Sequence, residues 1–283
     1  MDSKHTLIFI HGMGDTHPVK GFETLWKGIG ERYDAVPGRK EGAFGRRYTA
    51  CFVDWHEVTA EAKRAVFDLA FEGRKPRESF LDAALHPGDF GRTFFTFFLG
   101  DVVAYVDENP NNIRETIWHL MKGGLIAGGP YSIVAHSLGS VIAFDFLFHL
   151  FVEGVLFDPV QDDAVSIEDL QQRFRGLYTM GSPVGLFMLR KGSLWRRAEH
   201  GHPEAKPFSN IVNPIPEDAL WCNYWDQQDL VAYPLARLFA SNPANARRPL
   251  RDIEVGTGPD PISAHIRYWS DSEVAGEIAA TLK

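Results

Sequence analysis

The chain is 283 residues long and 45% apolar, enough to bury a large core in one elaborated domain carrying one site. Its formal net charge of −8, with acidic and basic residues interspersed, excludes a nucleic-acid partner gripped through phosphates. The two cysteines, Cys51 and Cys222, lie far apart with no ligand spacing, which excludes a CxxC-type metal or redox centre.

In chain order, Leu7 to Ile10 is a short apolar run ending in His11-Gly12, read as a buried parallel strand feeding a functional loop. That run is too short and too soon interrupted for a secretory h-region, so a cytoplasmic location is expected. Phe22 to Tyr33, with Leu25, Trp26 and Ile29 at helical spacing, predicts a helix, and Tyr48 to Trp55 a second strand. Residues 56–107 are expected to form a helical cap insertion. Its run Thr93-Phe94-Phe95-Thr96-Phe97-Phe98-Leu99 would either face an acyl chain or pack the insertion onto the sheet. Asp54, His56 and Glu57 are metal-ligand types without a recognised spacing, so neither a metal nor a cofactor is expected.

Asn111 to Met121 predicts a helix with Ile113, Ile117, Leu120 and Met121 on one face, Gly123 to Pro130 a loop, and Tyr131 to Ala135 a third strand. The helix predicted over Val141 to Phe151 is apolar nearly all round, as for one buried against a sheet. The tract it opens, Val141 to Phe157, is broken by Asp145, His149 and Glu153 and cannot span a bilayer comfortably. Strands are predicted at Gly176 to Met180, Leu220 to Trp225 and Ile253 to Val255. A last helix runs from about Asp271 to Leu282, with Ser270 and Glu273 as its capping box. Strand and helix alternate throughout, the pattern of a mostly parallel sheet flanked by helices.

Ile133-Val134-Ala135-His136-Ser137-Leu138-Gly139-Ser140 reads as strand, tight turn and helix start with small residues on either side of a serine. That is the pattern of a nucleophile elbow, with Ala135 where glycine is more usual. The bland alternative is a strand-to-helix turn with a capping serine. On the elbow reading, residues 1–283 form one α/β-hydrolase domain, Ser137 is the nucleophile, and the Leu138 amide faces a developing oxyanion with the helix dipole behind it. His11-Gly12-Met13-Gly14 after the first strand suits the second oxyanion donor, the Met13 amide, because glycines let backbone approach substrate. His11, Gly12, Gly14 and His136 border this region as substrate-binding residues. His11 is also expected to hydrogen-bond within its loop, and His136 and His149 to serve structure.

In such folds the acid and base follow the serine in that order. Trp225-Asp226-Gln227-Gln228-Asp229-Leu230-Val231-Ala232 is a strand running out into an acidic loop. Asp229, ahead of an apolar anchor, is preferred as the acid; Asp226, at the strand end, is the alternative. His265 is the base candidate, since His200 and His202 precede both carboxylates in a polar loop. The basic patch Arg190-Lys191 and Trp195-Arg196-Arg197 would meet a phosphate head group or simply be solvated.

The blocks Ala135 to Asp145, Met180 to Phe187 (Met-Gly-Ser-Pro-Val-Gly-Leu-Phe), Asn223 to Tyr233 and Ala264 to Trp269 (Ala-His-Ile-Arg-Tyr-Trp) resemble, in type and order, the catalytic core of the intracellular phospholipase A1-like, DDHD-domain family. The resemblance covers the chain from Asn111 onward. It implies Ser137, Asp229 and His265 as the catalytic residues and a glycerophospholipid at a membrane as substrate. The expected partners are therefore a small-molecule ester or lipid and a peripheral membrane contact. An acyltransferase or thioesterase would use the same triad, and a non-catalytic lipid-binding module would keep only the fold.

Overall fold

Leu7, Ile8, Phe9 and Ile10 are all fully buried, because the strand that carries them lies inside a sheet covered on both faces. The computed structural model describes residues 3–12, 18–55, 58, 105, 111–156, 165–188 and 211–283. Six strands, β1 (His5–Ile10), β2 (Tyr48–Val53), β3 (Tyr131–His136), β4 (Phe174–Met180), β5 (Leu220–Trp225) and β6 (Leu250–Glu254), pair in the order β2-β1-β3-β4-β5-β6. Every pairing is parallel. Parallel strands must be joined by crossovers, and the helices among the described residues are α1 (Pro18–Asp34), α2 (Ala43–Arg47), α3 (Asn111–Ile126), α4 (Leu138–Phe148), α5 (Ile167–Arg173), α6 (Val184–Phe187), α7 (Ala236–Ala240), α8 (Pro261–Ile266) and α9 (Ser272–Thr281).

Side chains alternate along each strand between two helical layers. Leu7 and Phe9 of β1 join Phe22, Leu25 and Ile29 of α1 and Val274 and Ile278 of α9 in one core. Ile8 and Ile10 face the other way, into a core with Ile117 and Met121 of α3 and Val141 and Phe144 of α4. This is an α/β architecture, a six-stranded parallel sheet with helices on both faces, as the alternation of strand and helix in the sequence predicts.

The register brings the carboxyl ends of the strands level, Ile10 opposite Val53 and Ala135, His136 opposite Met180, and Met180 opposite Tyr224. The chain reverses its direction of travel across the sheet between β1, whose following strand lies on one side, and β3, which lies on the other. Such a switch point opens a crevice at the carboxyl edge, where α/β sheets bind ligands.

Four expectations need correction. The glycines at 123 and 124 do not end α3, which runs to Ile126. A β-carbon on Gly124 would lie 2.8 Å from the Cys51 β-carbon, so glycine there lets the helix press on β2. The helix after Ser137 begins at Leu138 and widens at His149 into a π-turn (His149–Glu153). β6 covers Leu250–Glu254 rather than Ile253 to Val255. The cap of α9 is Asp271, whose carboxylate accepts the Glu273 and Val274 amides, because Ser270 is taken up in the 3₁₀ turn before it and donates to the Arg267 carbonyl.

Of the expected 56–107 insertion, only Val58 and Tyr105 fall among the described residues. The Tyr105 hydroxyl donates to Asp145 of α4 at 2.9 Å. The Phe94 to Leu99 run lies outside the described residues, as do the Arg190 to Arg197 patch, His200 and His202. Among the described residues, no helix is long and apolar enough to cross a membrane.

Candidate active site

Ser137 follows β3 directly and has φ 52°, the one positive φ among the described non-glycine residues. A side chain in that region costs on the order of 1–3 kcal/mol and persists only where its surroundings hold it. The Ser137 amide donates to the Met180 carbonyl at 2.9 Å, and the Ser140 amide and hydroxyl reach the Ser137 carbonyl at 2.9 and 2.5 Å. Ser140 also meets Ser182 of the Gly-Ser-Pro block at 2.8 Å, so that block braces the turn from β4. Ala135, standing where glycine is usual, points its methyl into the core beside α4 rather than across the turn. The two closest approaches fall to glycines. A β-carbon on Gly12 would lie 2.4 Å from that of Ser137, and one on Gly139 would lie 2.4 Å from the His11 carbonyl oxygen.

His265 sits on the short helix α8, which is started by Pro261 and capped by Asp260, whose carboxylate accepts the Ile262 and Ser263 amides. Its Nε2 is 2.9 Å from Ser137 Oγ, and its Nδ1 is 2.9 Å from Asp229 Oδ2 and 3.0 Å from Oδ1. A carboxylate only accepts, so Nδ1 carries the proton and Nε2 turns its lone pair to the hydroxyl. Asp229 also accepts the Val231 amide at 2.9 Å and the Tyr268 hydroxyl at 3.1 Å. Burial alone would raise its pKa. The His265 ring beside it, with these hydrogen bonds, outweighs burial and holds the carboxyl below its ordinary range.

Asp226, the alternative acid, is turned elsewhere. Its Oδ1 accepts the Gln228 amide at 2.7 Å, while Oδ2 accepts the Thr257 amide at 2.6 Å and the Gly258 amide at 3.3 Å. This carboxylate ties the loop after β5 to the loop after β6, and is not beside His265.

His11 and His136, expected beside the substrate region, are both buried, as Ser137 and His265 are, and His11 makes the hydrogen bond within its loop that the sequence predicts. His136 donates from Nε2 to the His265 carbonyl at 2.7 Å, and the two rings lie 4.9 Å apart. Burial first, and then the neighbouring His265, lower its pKa to about 3, so it stays neutral. His11 stacks on Trp55 at 5.2 Å and accepts the Trp55 amide at Nε2. That leaves the proton on Nδ1, which donates to the Gly12 carbonyl at 2.5 Å. Leu138 opens α4, so its amide has no helical carbonyl four residues back to bind. Met13 and Gly14 lie outside the described residues, and His149 pairs with Glu153. Among the described residues, no group of three or more His, Cys, Asp or Glu side chains is arranged to hold a metal ion.

Sequence reasoning missed the supporting shell of Tyr268, Thr257, Ser182 and Trp55. The His-x-x-Tyr-Trp and Gly-Ser-Pro strings marked two of these, without saying what they touch.

No family model matches the chain, and no curated protein matches it. Among solved structures, it is similar to one described with the metagenome-derived lipolytic enzymes LipS and LipT, at 11% identity and a TM-score of 0.42, over 100% of this chain and 96% of that one. It is also similar to RedJ, a thioesterase from the prodiginine biosynthetic pathway in Streptomyces coelicolor, at 12% identity and a TM-score of 0.43, over 99% of this chain and 86% of that one.

Proposed function

We propose that this chain is a serine hydrolase that cleaves carboxylic esters through an acyl-enzyme, with Ser137 as nucleophile, His265 as general base and acid, and Asp229 as the acid of the triad. The observation that carries this reading is the continuous line from Ser137 Oγ through Nε2 and Nδ1 of His265 to the buried Asp229 carboxylate. His265 takes the serine proton as Oγ attacks the carbonyl carbon, and the imidazolium so formed is stabilised by Asp229. The amides of Leu138 and Met13 stabilise the oxyanion. The imidazolium then protonates the leaving alkoxide, and water attacks the acyl-enzyme by the same steps in reverse. Nothing in this sequence requires a cofactor.

The resemblance of the four sequence blocks to the DDHD-domain family supports a lipid-like ester as substrate, with residues 56–107 as a cap over the acyl chain. The test is hydrolysis of p-nitrophenyl esters from acetate to palmitate, with labelling by a fluorophosphonate, in the wild type and in Ser137→Ala. Turnover and labelling should both vanish in the variant, and rates rising with chain length would favour the lipid reading. Activity that survives Ser137→Ala would overturn the assignment, and preference for a thioester would move it to thioesterase chemistry.

A further inference from the structure

Three residues after His265, the Tyr268 ring is fully buried and its hydroxyl stands between the two carboxylate residues of the loop after β5. The Asp226 amide lies 2.9 Å from the phenol oxygen, and Asp229 Oδ2 lies 3.1 Å from it. A backbone N–H can only donate, so the phenol accepts from Asp226, and its single proton is committed to Asp229. Oδ2 is the same oxygen that faces His265 Nδ1 at 2.9 Å.

We propose that Tyr268 is a positioning residue of the triad: it holds Asp229, rather than Asp226, against His265 and sets how strongly that carboxylate draws on the imidazole proton. The proposal rests on the triad reading above and deepens it. Base and phenol belong to one short segment, the α8 helix and the 3₁₀ turn after it. Asp229 is therefore gripped at one oxygen by two groups whose spacing is fixed by the backbone between them. The second oxygen is held by the Val231 amide. With both oxygens engaged, the carboxylate cannot rotate away. The phenol proton also competes with Nδ1–H for the charge on Oδ2, and so tempers the basicity that Asp229 confers on His265. The other groups facing the pair are His136, at the end of β3, and Ser137, whereas the Asp226 carboxylate is spent on Thr257 and Gly258.

A ring that merely filled space would do none of this, and two variants separate the cases. Tyr268→Phe removes the hydroxyl and leaves the buried Asp226 amide without its acceptor, so some loss of thermal stability is expected whatever the role. Site-specific incorporation of 3-fluorotyrosine at 268 keeps the hydroxyl and makes it a stronger donor. The readouts are the low-field proton resonance of His265 Nδ1–H, the acidic limb of the kcat/KM pH profile, and the melting temperature. In Tyr268→Phe the resonance should move downfield, the acidic limb should move to higher pH, and kcat should fall about tenfold with KM little changed. The fluorotyrosine should move the resonance and the limb the opposite way with the melting temperature kept. Resonance and limb unmoved in both variants would overturn the proposal, even if Tyr268→Phe melts earlier. The resonance is read without turnover, so a protein that hydrolyses no ester overturns the triad reading alone.

Discussion

Gly12 lies so close to Ser137 that a β-carbon on it would stand 2.4 Å from the serine Cβ and 3.1 Å from Oγ, and 3.0 Å from the His136 carbonyl oxygen. No rotation of a flexible side chain relieves this, since two of the three atoms belong to the elbow's own backbone and Cβ. Gly12→Ala must push either the loop after β1 or Ser137 out of line. A displacement of that size should lower kcat/KM on a short ester at least a hundredfold. The fluorophosphonate labelling rate should fall with it, while the core on either side of the sheet is untouched. Wild-type labelling in Gly12→Ala would mean that the loop yields and the serine stays.

The two carboxylates three residues apart should give opposite phenotypes. Asp229→Asn replaces the group facing His265 Nδ1 with an amide that can stabilise the wrong tautomer. The expected loss in kcat is on the order of ten-thousandfold, beyond any cost in stability from the buried hydrogen bonds that Asp229 accepts. Asp226→Asn weakens the acceptor of the Thr257 and Gly258 amides. Its cost should appear as stability, about 1–3 kcal/mol in urea unfolding, with far smaller losses in turnover per folded molecule. The converse pattern would exchange the roles of Asp226 and Asp229.

What the sequence disclosed, and what it hid, follow from the range of each interaction. The strand, turn and helix around Ser137 are readable because apolar runs and small residues act within ten positions. Asp229 could be preferred to Asp226 because an apolar string follows it; Val231 and Ala232 of that string are buried and the Val231 amide closes on Asp229, while Leu230 stands exposed. The bond of His11 to Gly12 in its own loop is the one the sequence predicts, but the distant partners of His11 and His136 could not be read. Each ring is set by a partner far along the chain, Trp55 for one and the His265 carbonyl for the other, and a sequence motif does not encode which face of a turn a ring takes. The helix α8 was hidden for a different reason: it is too short for a hydrophobic period, and only its Asp260-Pro261 start marks it. The Tyr268 bridge was hidden because it needs the loop after β5 and the segment after β6 to meet.

The capping of α9 gives a direct check on local structure behind the site, where this helix shares a core with α1. Asp271 accepts the amides of Glu273 and Val274 at 2.8 and 3.0 Å, whereas Ser270 only returns a bond to the Arg267 carbonyl. Asp271→Ala should cost about 1 kcal/mol in denaturant unfolding, and Ser270→Ala should cost no more than a few tenths. A larger cost at Ser270 would restore the capping box expected from the sequence pattern.

His136 should make the protein acid-sensitive well above the carboxylate range. Its pKa falls from 6.5 to about 3 on folding, through burial and then the neighbouring His265. Between those values the unfolded chain binds a proton that the native state refuses, so stability falls as pH drops. The contribution is whole above about pH 6.5 and is lost progressively down to the folded pKa of about 3. His136→Gln keeps a donor for the His265 carbonyl and removes the titration. Urea unfolding at pH 7 and pH 4.5 should show the wild type losing about 2–3 kcal/mol more than the variant across that interval. Equal losses in the two proteins would mean that His136 takes up its proton in the native state, and that the grip on the His265 carbonyl survives the added charge.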